Sequence, residues 1–153
     1  MLMIKHLVEN IKIKLDSSNG KILKNNSVLK CYNLIKNYND NDWIKFKSEF
    51  PENSSPNYCK HVIFRNEDFE LILIKWDKGS SSSNHLHPNN GCILKVLEGS
   101  LVEERFFEKT KYKITKLSKN NMGFMHNILG SHKIISEETT YSIHLYSPPN
   151  FYN

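Results

Sequence analysis

Gly79-Ser-Ser-Ser-Ser-Asn-His85-Leu86-His87-Pro-Asn-Asn-Gly-Cys92-Ile-Leu-Lys-Val-Leu97-Glu-Gly99 is the stretch on which the reading of this chain turns. Glycines bound it, and glycine takes the positive φ of a tight turn without strain. Cys92 to Leu97 reads as a strand. Residues two apart on a strand face the same side, so the imidazoles of His85 and His87 can reach one metal ion. Alone the pair is weak: with seven histidines in 153 residues, a chance His-x-His is expected roughly 0.3 times. A pair of half-exposed strand histidines is the plain alternative.

Working outward, the same period of two begins at Tyr58 and continues to the end of the chain. Phe69 to Trp76, Leu101 to Phe107, Tyr112 to Leu117, Met122 to Ile128, His132 to Ile135 and Tyr141 to Tyr146 read as strands between clusters of Gly, Asn, Ser and Pro. Many short strands at close spacing predict a mainly β fold, a jelly-roll barrel or sandwich. Before Tyr58 the period is helical. Leu2, Ile4, Leu7, Ile11 and Leu15 form one stripe, ended by Ser17-Ser18-Asn19-Gly20. A second helix follows Asn26-Ser27, burying Val28, Leu29, Cys31, Tyr32, Leu34 and Ile35. Asp40-Asn41-Asp42 predicts the cap of a third, with Trp43, Phe46 and Phe50, stopped by Pro51. The expectation is one domain over residues 1–153, with helices in 1–50 and the β-barrel in 58–149.

Composition narrows the function classes. The net charge is +5, but the lysines are scattered singly and Arg65 and Arg105 are the only arginines, so no patch for nucleic acid is expected. No apolar run exceeds four residues, far short of a bilayer span. Lys5, His6 and Glu9 interrupt the N-terminal apolar stretch, which does not read as a signal peptide. With three cysteines, an odd number, the expectation is free thiols in a reducing, cytoplasmic compartment. The Asn-x-Ser sites at Asn25 and Asn53 then carry no glycan meaning. A monomer is expected.

The spacing of the opening stretch is Gly, five residues, His-x-His, four residues, Cys92, six residues, Gly. It resembles the first motif of the cupins, with Cys92 where most cupins place a glutamate. That substitution, together with Trp76, Ser82-Ser83 and Leu94-Lys95-x-Leu97-x-Gly99-x-Leu101-x-Glu103, resembles the cysteine dioxygenase family. Gly130-Ser131-His132 fits the third ligand, and Ser142-Ile143-His144-Leu145-Tyr146-Ser147-Pro148-Pro149 fits the terminal motif of that family. The combined motifs are specific where each alone is not, and the likeness extends weakly over the N-terminal helices.

The resemblance implies iron(II), Fe2+, held by His85, His87 and His132, with a small thiol and O2 as substrates and a sulfinic acid as product. Three neutral imidazoles leave the ion its full charge and an open face for a chelating substrate. A coordinating thiol would be deprotonated there. The resemblance also implies a thioether between Cys92 and Tyr146, a cis Ser147–Pro148 bond, and a chain Ser142–His144–Tyr146 that orients the phenol. If Tyr141 to Tyr146 is a strand, those three side chains share one face; a strand with polar residues facing water is the alternative. Trp76 is expected in the pocket wall.

Substrate recognition departs from the family. Cysteine-using members place an arginine two residues after a tyrosine, where this chain has Tyr58-Cys59-Lys60. Lysine keeps the charge but loses the bidentate fork. Lys60 and Tyr58 would meet the substrate carboxylate, or Lys60 is a solvated edge residue. The chain also ends soon after the terminal motif, so a more open pocket is expected. Three readings stay open: a dioxygenase of L-cysteine, one of another thiol such as 3-mercaptopropionate, and a metal-binding cupin without turnover. His6 and His61 read as surface residues, His126 as an alternative ligand, Cys31 as core, Cys59 as structural, and Phe151-Tyr152 as a tail.

Overall fold

The computed structural model describes residues 3–150 other than 19, 21, 25 and 53–56. Expectations resting on Leu2, Asn19, Asn25, Asn53, Phe151 and Tyr152 lie outside the described residues. Helix α1, Ile4–Lys14, buries Ile4, Leu7, Val8 and Ile11, the i, i+3, i+4, i+7 spacing of one helical face. Ser27–Cys31 is a 3₁₀ turn running into the short helix α2, Tyr32–Lys36. Asp42–Glu49, the third short helix expected, is also 3₁₀. The expected cap works elsewhere: Asp42 accepts from the Ile4 backbone N–H at 2.8 Å and from the Tyr38 hydroxyl. It therefore caps α1 across 38 residues, and its own segment starts with no side-chain cap. A short uncapped segment settles into the tighter 3₁₀ form.

Among the described residues eight strands follow: β1 (Tyr58–Arg65), β2 (Glu70–Trp76), β3 (Cys92–Glu98), β4 (Ser100–Phe107), β5 (Thr110–Ser118), β6 (Met122–Met125), β7 (Ser131–Ser136) and β8 (Thr140–Tyr146). They form two antiparallel sheets, β1-β2-β8-β3-β6 and β5-β4-β7. The fold is a sandwich rather than a closed barrel. The expected strand Met122–Ile128 stops at Met125 because that residue pairs with Cys92, the first of β3, and the chain before Cys92 is a turn in which Gly91 N–H donates to Pro88 O. His126 then accepts from Ile128 N–H at 3.2 Å and caps the 3₁₀ turn Asn127–Leu129.

The larger sheet has different chemistry on its two faces. Phe69, Leu71, Leu73, Ile93, Leu97, Tyr141, Ile143 and Leu145 pack against the N-terminal helices in one apolar core. Ile72, Ile74, Trp76, Cys92, Leu94, Val96 and Tyr146 point between the sheets with Leu101, Leu117 and Ile134. Each fully buried Leu or Ile stabilises the fold by ~1.5–3 kcal/mol. One lysine belongs to the helical side. Lys95 is fully buried, and its Nζ donates to Lys36 O at 2.8 Å, Tyr38 O at 2.6 Å and Asn39 Oδ1 at 3.1 Å. It satisfies carbonyls that the end of α2 leaves open, and burial lowers its pKa.

Gly79–His85 runs along the free edge of β7. Gly79 N–H donates to Ser136 O at 2.8 Å, Ser82 N–H to Ile134 O at 2.9 Å and His85 N–H to His132 O at 2.9 Å. This pairing sets His85 directly opposite His132. His85 and His87 thus lie on an extended link touching β7 at isolated bridges, not on the regular strand expected. A bend at Asn84 and the turn at Asn89-Asn90 interrupt the ladder. Gly79 and Gly99 both have positive φ, at 84° and 89°. At Gly99 a Cβ would strike Thr140 Oγ1, so the β3–β4 turn admits only glycine.

Candidate metal centre and its cavity

The pairing of the Gly79–His85 link with β7 decides which side chains meet. One ligand nitrogen from each of His85, His87 and His132 lies within 4.8 Å of the others. His132 Nε2 is 3.0 Å from His85 Nε2 and 2.9 Å from His87 Nε2. The remote nitrogens identify the tautomers. His85 Nδ1 is 2.8 Å from Ser83 O, and His132 Nδ1 is 2.9 Å from Glu103 Oε2. Both partners only accept, so both Nδ1 atoms carry a proton, and in the neutral ring each Nε2 presents a lone pair. Facing lone pairs at these distances repel unless a cation lies among them. Ligands ~2.1 Å from one ion at right angles are ~3.0 Å apart, which is the separation found.

Two of the three histidines are held neutral. Burial, with His132 close by, lowers His85 to about 4, and burial lowers His87 further. His87 is fully buried, its backbone N–H donates to Asn127 Oδ1 at 2.8 Å, and its Nδ1 has no partner among the described residues. Neutral imidazoles are the form that ligates a metal. His126 stands apart: its Nε2 meets Asn89 O at 2.9 Å and its Nδ1 is occupied by Ile128 N–H.

Strand β8 supplies a second polar feature. Its Ser142, His144 and Tyr146 are buried on the inward face. Ser142 Oγ lies 2.7 Å from His144 Nε2, and Tyr146 Oη lies 3.0 Å from His144 Nδ1. Trp76 Nε1–H donates to Ser142 Oγ at 2.8 Å. The indole is a donor only, so it anchors one end of the chain. Burial keeps His144 neutral by lowering its pKa. Cys92 and Tyr146 are direct register partners in the β3–β8 ladder, a placement that brings opposed side chains to ~5 Å at Cβ. Burial and then Glu103 raise the Cys92 thiol, against a lowering contact with Tyr146.

These groups border a cavity of about 230 Å³, lined by His85, His132, His144, Tyr146, Tyr58, Lys60 and Trp76 among others. At ~30 Å³ per water it holds a molecule of a few heavy atoms, not a polymer. Tyr58 packs on Trp76 with ring centroids 4.7 Å apart. Lys60 lies on the edge strand β1, solvent-exposed yet part of the lining, with Nζ 5.9 Å from the Tyr58 ring. Partial burial lowers its pKa. Among the described lining residues there is no carboxylate.

The sequence motif included Glu103 without a role, and it included neither Arg105 nor Asn127. Glu103 is 2% exposed, receiving Arg105 Nε–H at 2.7 Å on Oε1 and His132 on Oε2. Burial alone would raise its pKa, but the His132 hydrogen bond and the Arg105 charge lower it. A charged residue in phase with the inward-facing Leu101 was the available signal. His61, read as a surface residue, stacks on Phe46 with centroids 4.9 Å apart. Cys31 is core and free, and the Ser147–Pro148 bond is cis. No described helix is long and apolar enough to cross a membrane.

Comparison with known proteins agrees with this geometry. The profile of the family cysteine dioxygenase type I matches residues 4–152. Cysteine dioxygenase type 1 of Danio rerio is 30% identical over 138 residues, covering 80% of this chain and 66% of the relative. That of Homo sapiens is 36% identical over 103 residues, covering 60% of this chain and 52% of the relative. The chain thus spans between about half and two thirds of the length of these relatives. Among solved structures, KdgF from Halomonas sp. matches with TM-score 0.54 at 21% identity, covering 69% of this chain and 92% of the other. A cupin-2 domain protein from Shewanella frigidimarina matches with TM-score 0.54 at 19% identity, over 69% and 92%. At these identities the structural matches speak for the cupin fold alone.

Proposed function

The chain belongs to the cysteine dioxygenase type I family, and from that premise we infer that it is an iron(II)-dependent thiol dioxygenase converting L-cysteine and O2 to cysteine sulfinic acid. The observation that carries the reading is the convergence of three histidine nitrogens beside a small cavity that also holds Tyr146 and Lys60. His85, His87 and His132 would hold iron. Bound there, iron(II) supplies the redox chemistry by which both atoms of O2 end on the substrate sulfur.

The protein's own groups bind and orient. Lys60 attracts the substrate carboxylate as a point charge, without a bidentate fork. The packed rings of Tyr58 and Trp76 exclude water from one wall. In the Ser142–His144–Tyr146 chain, Ser142 O–H donates to His144 Nε2 and His144 Nδ1–H donates to Tyr146 Oη. In that order the Tyr146 hydroxyl donates its proton to a group other than His144. With the order reversed, Tyr146 donates to His144 and offers an oxygen instead. The chain can therefore hold a proton beside the substrate or take one back. A thioether between Cys92 Sγ and the Tyr146 ring, formed by a two-electron oxidation in which O2 takes the thiol hydrogen and one ring hydrogen, would fix the phenol in place.

The test is direct. Protein loaded with iron(II) without air is mixed with L-cysteine and O2, and oxygen uptake and sulfinate are measured together. Stoichiometric sulfinate is expected. A second reading, turnover of 3-mercaptopropionate, is favoured by Lys60 in place of arginine and by a cavity lining without a carboxylate for a substrate ammonium. Uptake with that thiol and not with cysteine would move the substrate and keep the chemistry. Iron bound with no uptake from either thiol would leave a binding cupin.

A further inference from the structure

The histidines differ in what holds their outer nitrogen. A backbone carbonyl takes the proton of His85, a carboxylate takes that of His132, and nothing among the described residues takes that of His87. The carboxylate is itself held. Arg105 stands directly across the β4–β7 ladder from His132. Its Nε–H donates to Glu103 Oε1 at 2.7 Å and its Nη2–H to Phe124 O at 2.7 Å. Arginine has donors only, so the oxygen it binds must accept. That fixes which way the Glu103 carboxylate lies and leaves Oε2 facing His132 Nδ1 at 2.9 Å.

We propose that Arg105 and Glu103 together lock the tautomer of His132, keeping its proton on Nδ1 and its Nε2 lone pair aimed at His85 and His87. The inference rests on reading those histidines as metal ligands. Glu103 acts by accepting, and Arg105 is a positioning residue that acts through Glu103. His132 faces both other ligands at 2.9 and 3.0 Å, so a proton on its Nε2 would point into the centre of the group and repel a cation.

The lock has a directional consequence that a merely structural contact lacks. In Glu103→Gln the new side chain has one acceptor and one donor end. Arg105 claims the oxygen, which turns the NH2 group toward His132 Nδ1. His132 must then accept there and carry its proton on Nε2. Cobalt(II) affinity is expected to fall by about 10–100-fold, the range for partners of metal-bound histidine. Adding Arg105→Met frees the amide to turn over and offer its oxygen to His132, so the double variant is expected to bind cobalt(II) more tightly than Glu103→Gln alone.

Two readouts decide it. Nitrogen NMR of the histidine rings in metal-free protein is expected to show the His132 proton on Nδ1 in the parent and on Nε2 in Glu103→Gln. Cobalt(II) titrations follow for the parent, the single and the double variant. Parent-like spectra and affinity in Glu103→Gln, or a double variant no better than the single, would overturn the lock. If the double variant does not fold, the ring spectrum of Glu103→Gln decides alone. A parent that binds no cobalt(II) would sink the metal reading instead, and the ring spectra would still judge the lock.

Discussion

Strand β8 carries two chemistries on alternate residues. Tyr141, Ile143 and Leu145 face the helices and join a core of hydrocarbon and aromatic rings. Ser142, His144 and Tyr146 face the other sheet and form a buried hydrogen-bonded chain beside the cavity. Both sets hang from the same backbone ladders to β2 and β3, so the difference is not one of secondary structure. The outward set contributes stability through area removed from water. The inward set gains little net stability, because each polar group gives up water for a protein partner. What the outward face contributes is a rigid frame on which the inward groups can be held neutral and aimed.

Striking each face once separates their roles most strongly. His85→Ala removes the half-buried candidate ligand and leaves no buried carboxylate unpaired, and both cobalt(II) binding and thiol-dependent oxygen uptake are expected to fall below detection. The melting temperature of metal-free protein should move by only a few degrees. On the other face, Ile143→Ala should cost ~2–5 kcal/mol, ~10 °C in melting temperature, while cobalt(II) binding is expected to survive at low temperature. Equal damage to stability from both variants would refute the division of labour.

Lys95→Met tests the same face from a buried charged member. The ammonium meets carbonyls of Lys36 and Tyr38, and leaving buried acceptors unpaired costs ~1–3 kcal/mol each. Thermal denaturation should show a loss of about that size. Proteolysis should then release the N-terminal helices before the sheets are cut. A stability equal to the parent's would mean that water replaces the ammonium.

Much of this was legible in the sequence, for a physical reason. Alternation of two fixes faces, so Ser142, His144 and Tyr146 could be placed together, and motif spacing brought in the ligand histidines. What was not legible depends on contacts distant in the chain. Lys95 alternates between Leu94 and Val96 like any lysine facing water, and nothing local tells that α2 ends over it. Asp42 has the sequence of a local cap and serves a helix 38 residues away. The His85–His132 bridge arises from a link that pairs along β7 without being a strand, which no periodicity encodes.

A smaller effect sharpens the cavity side. Lys60→Arg restores a planar fork at the mouth of the cavity, where bidentate pairing with a carboxylate is possible. The KM for L-cysteine should fall by roughly tenfold, about 1.4 kcal/mol, with kcat nearly unchanged, since a carboxylate contact is made equally before and during the reaction. Steady-state oxygen uptake against cysteine concentration measures both. An unchanged KM would mean that Lys60 does not touch the substrate.

The last separation is by pH. Burial lowers His85 to about 4 and also lowers His87 and His144, while in the unfolded chain histidine takes up its proton near ~6.5. Between those values the unfolded state binds more protons than the folded one, so stability rises with pH and is lost as pH falls below about 6.5. The loss attributable to His85 ends near 4, where the folded protein takes up that proton too. His144→Gln should remove about one proton's worth of slope, ~1.4 kcal/mol per pH unit, from urea denaturation of metal-free protein at pH 7, 6 and 5. Ile143→Val, one residue away on the other face, should lower the whole curve by ~0.5–1.5 kcal/mol and leave its slope alone. Neighbours in sequence would then be told apart by the shape of a titration, which reports the face each occupies. Parallel curves for both variants would mean that the acid sensitivity of the fold does not reside in the inward face.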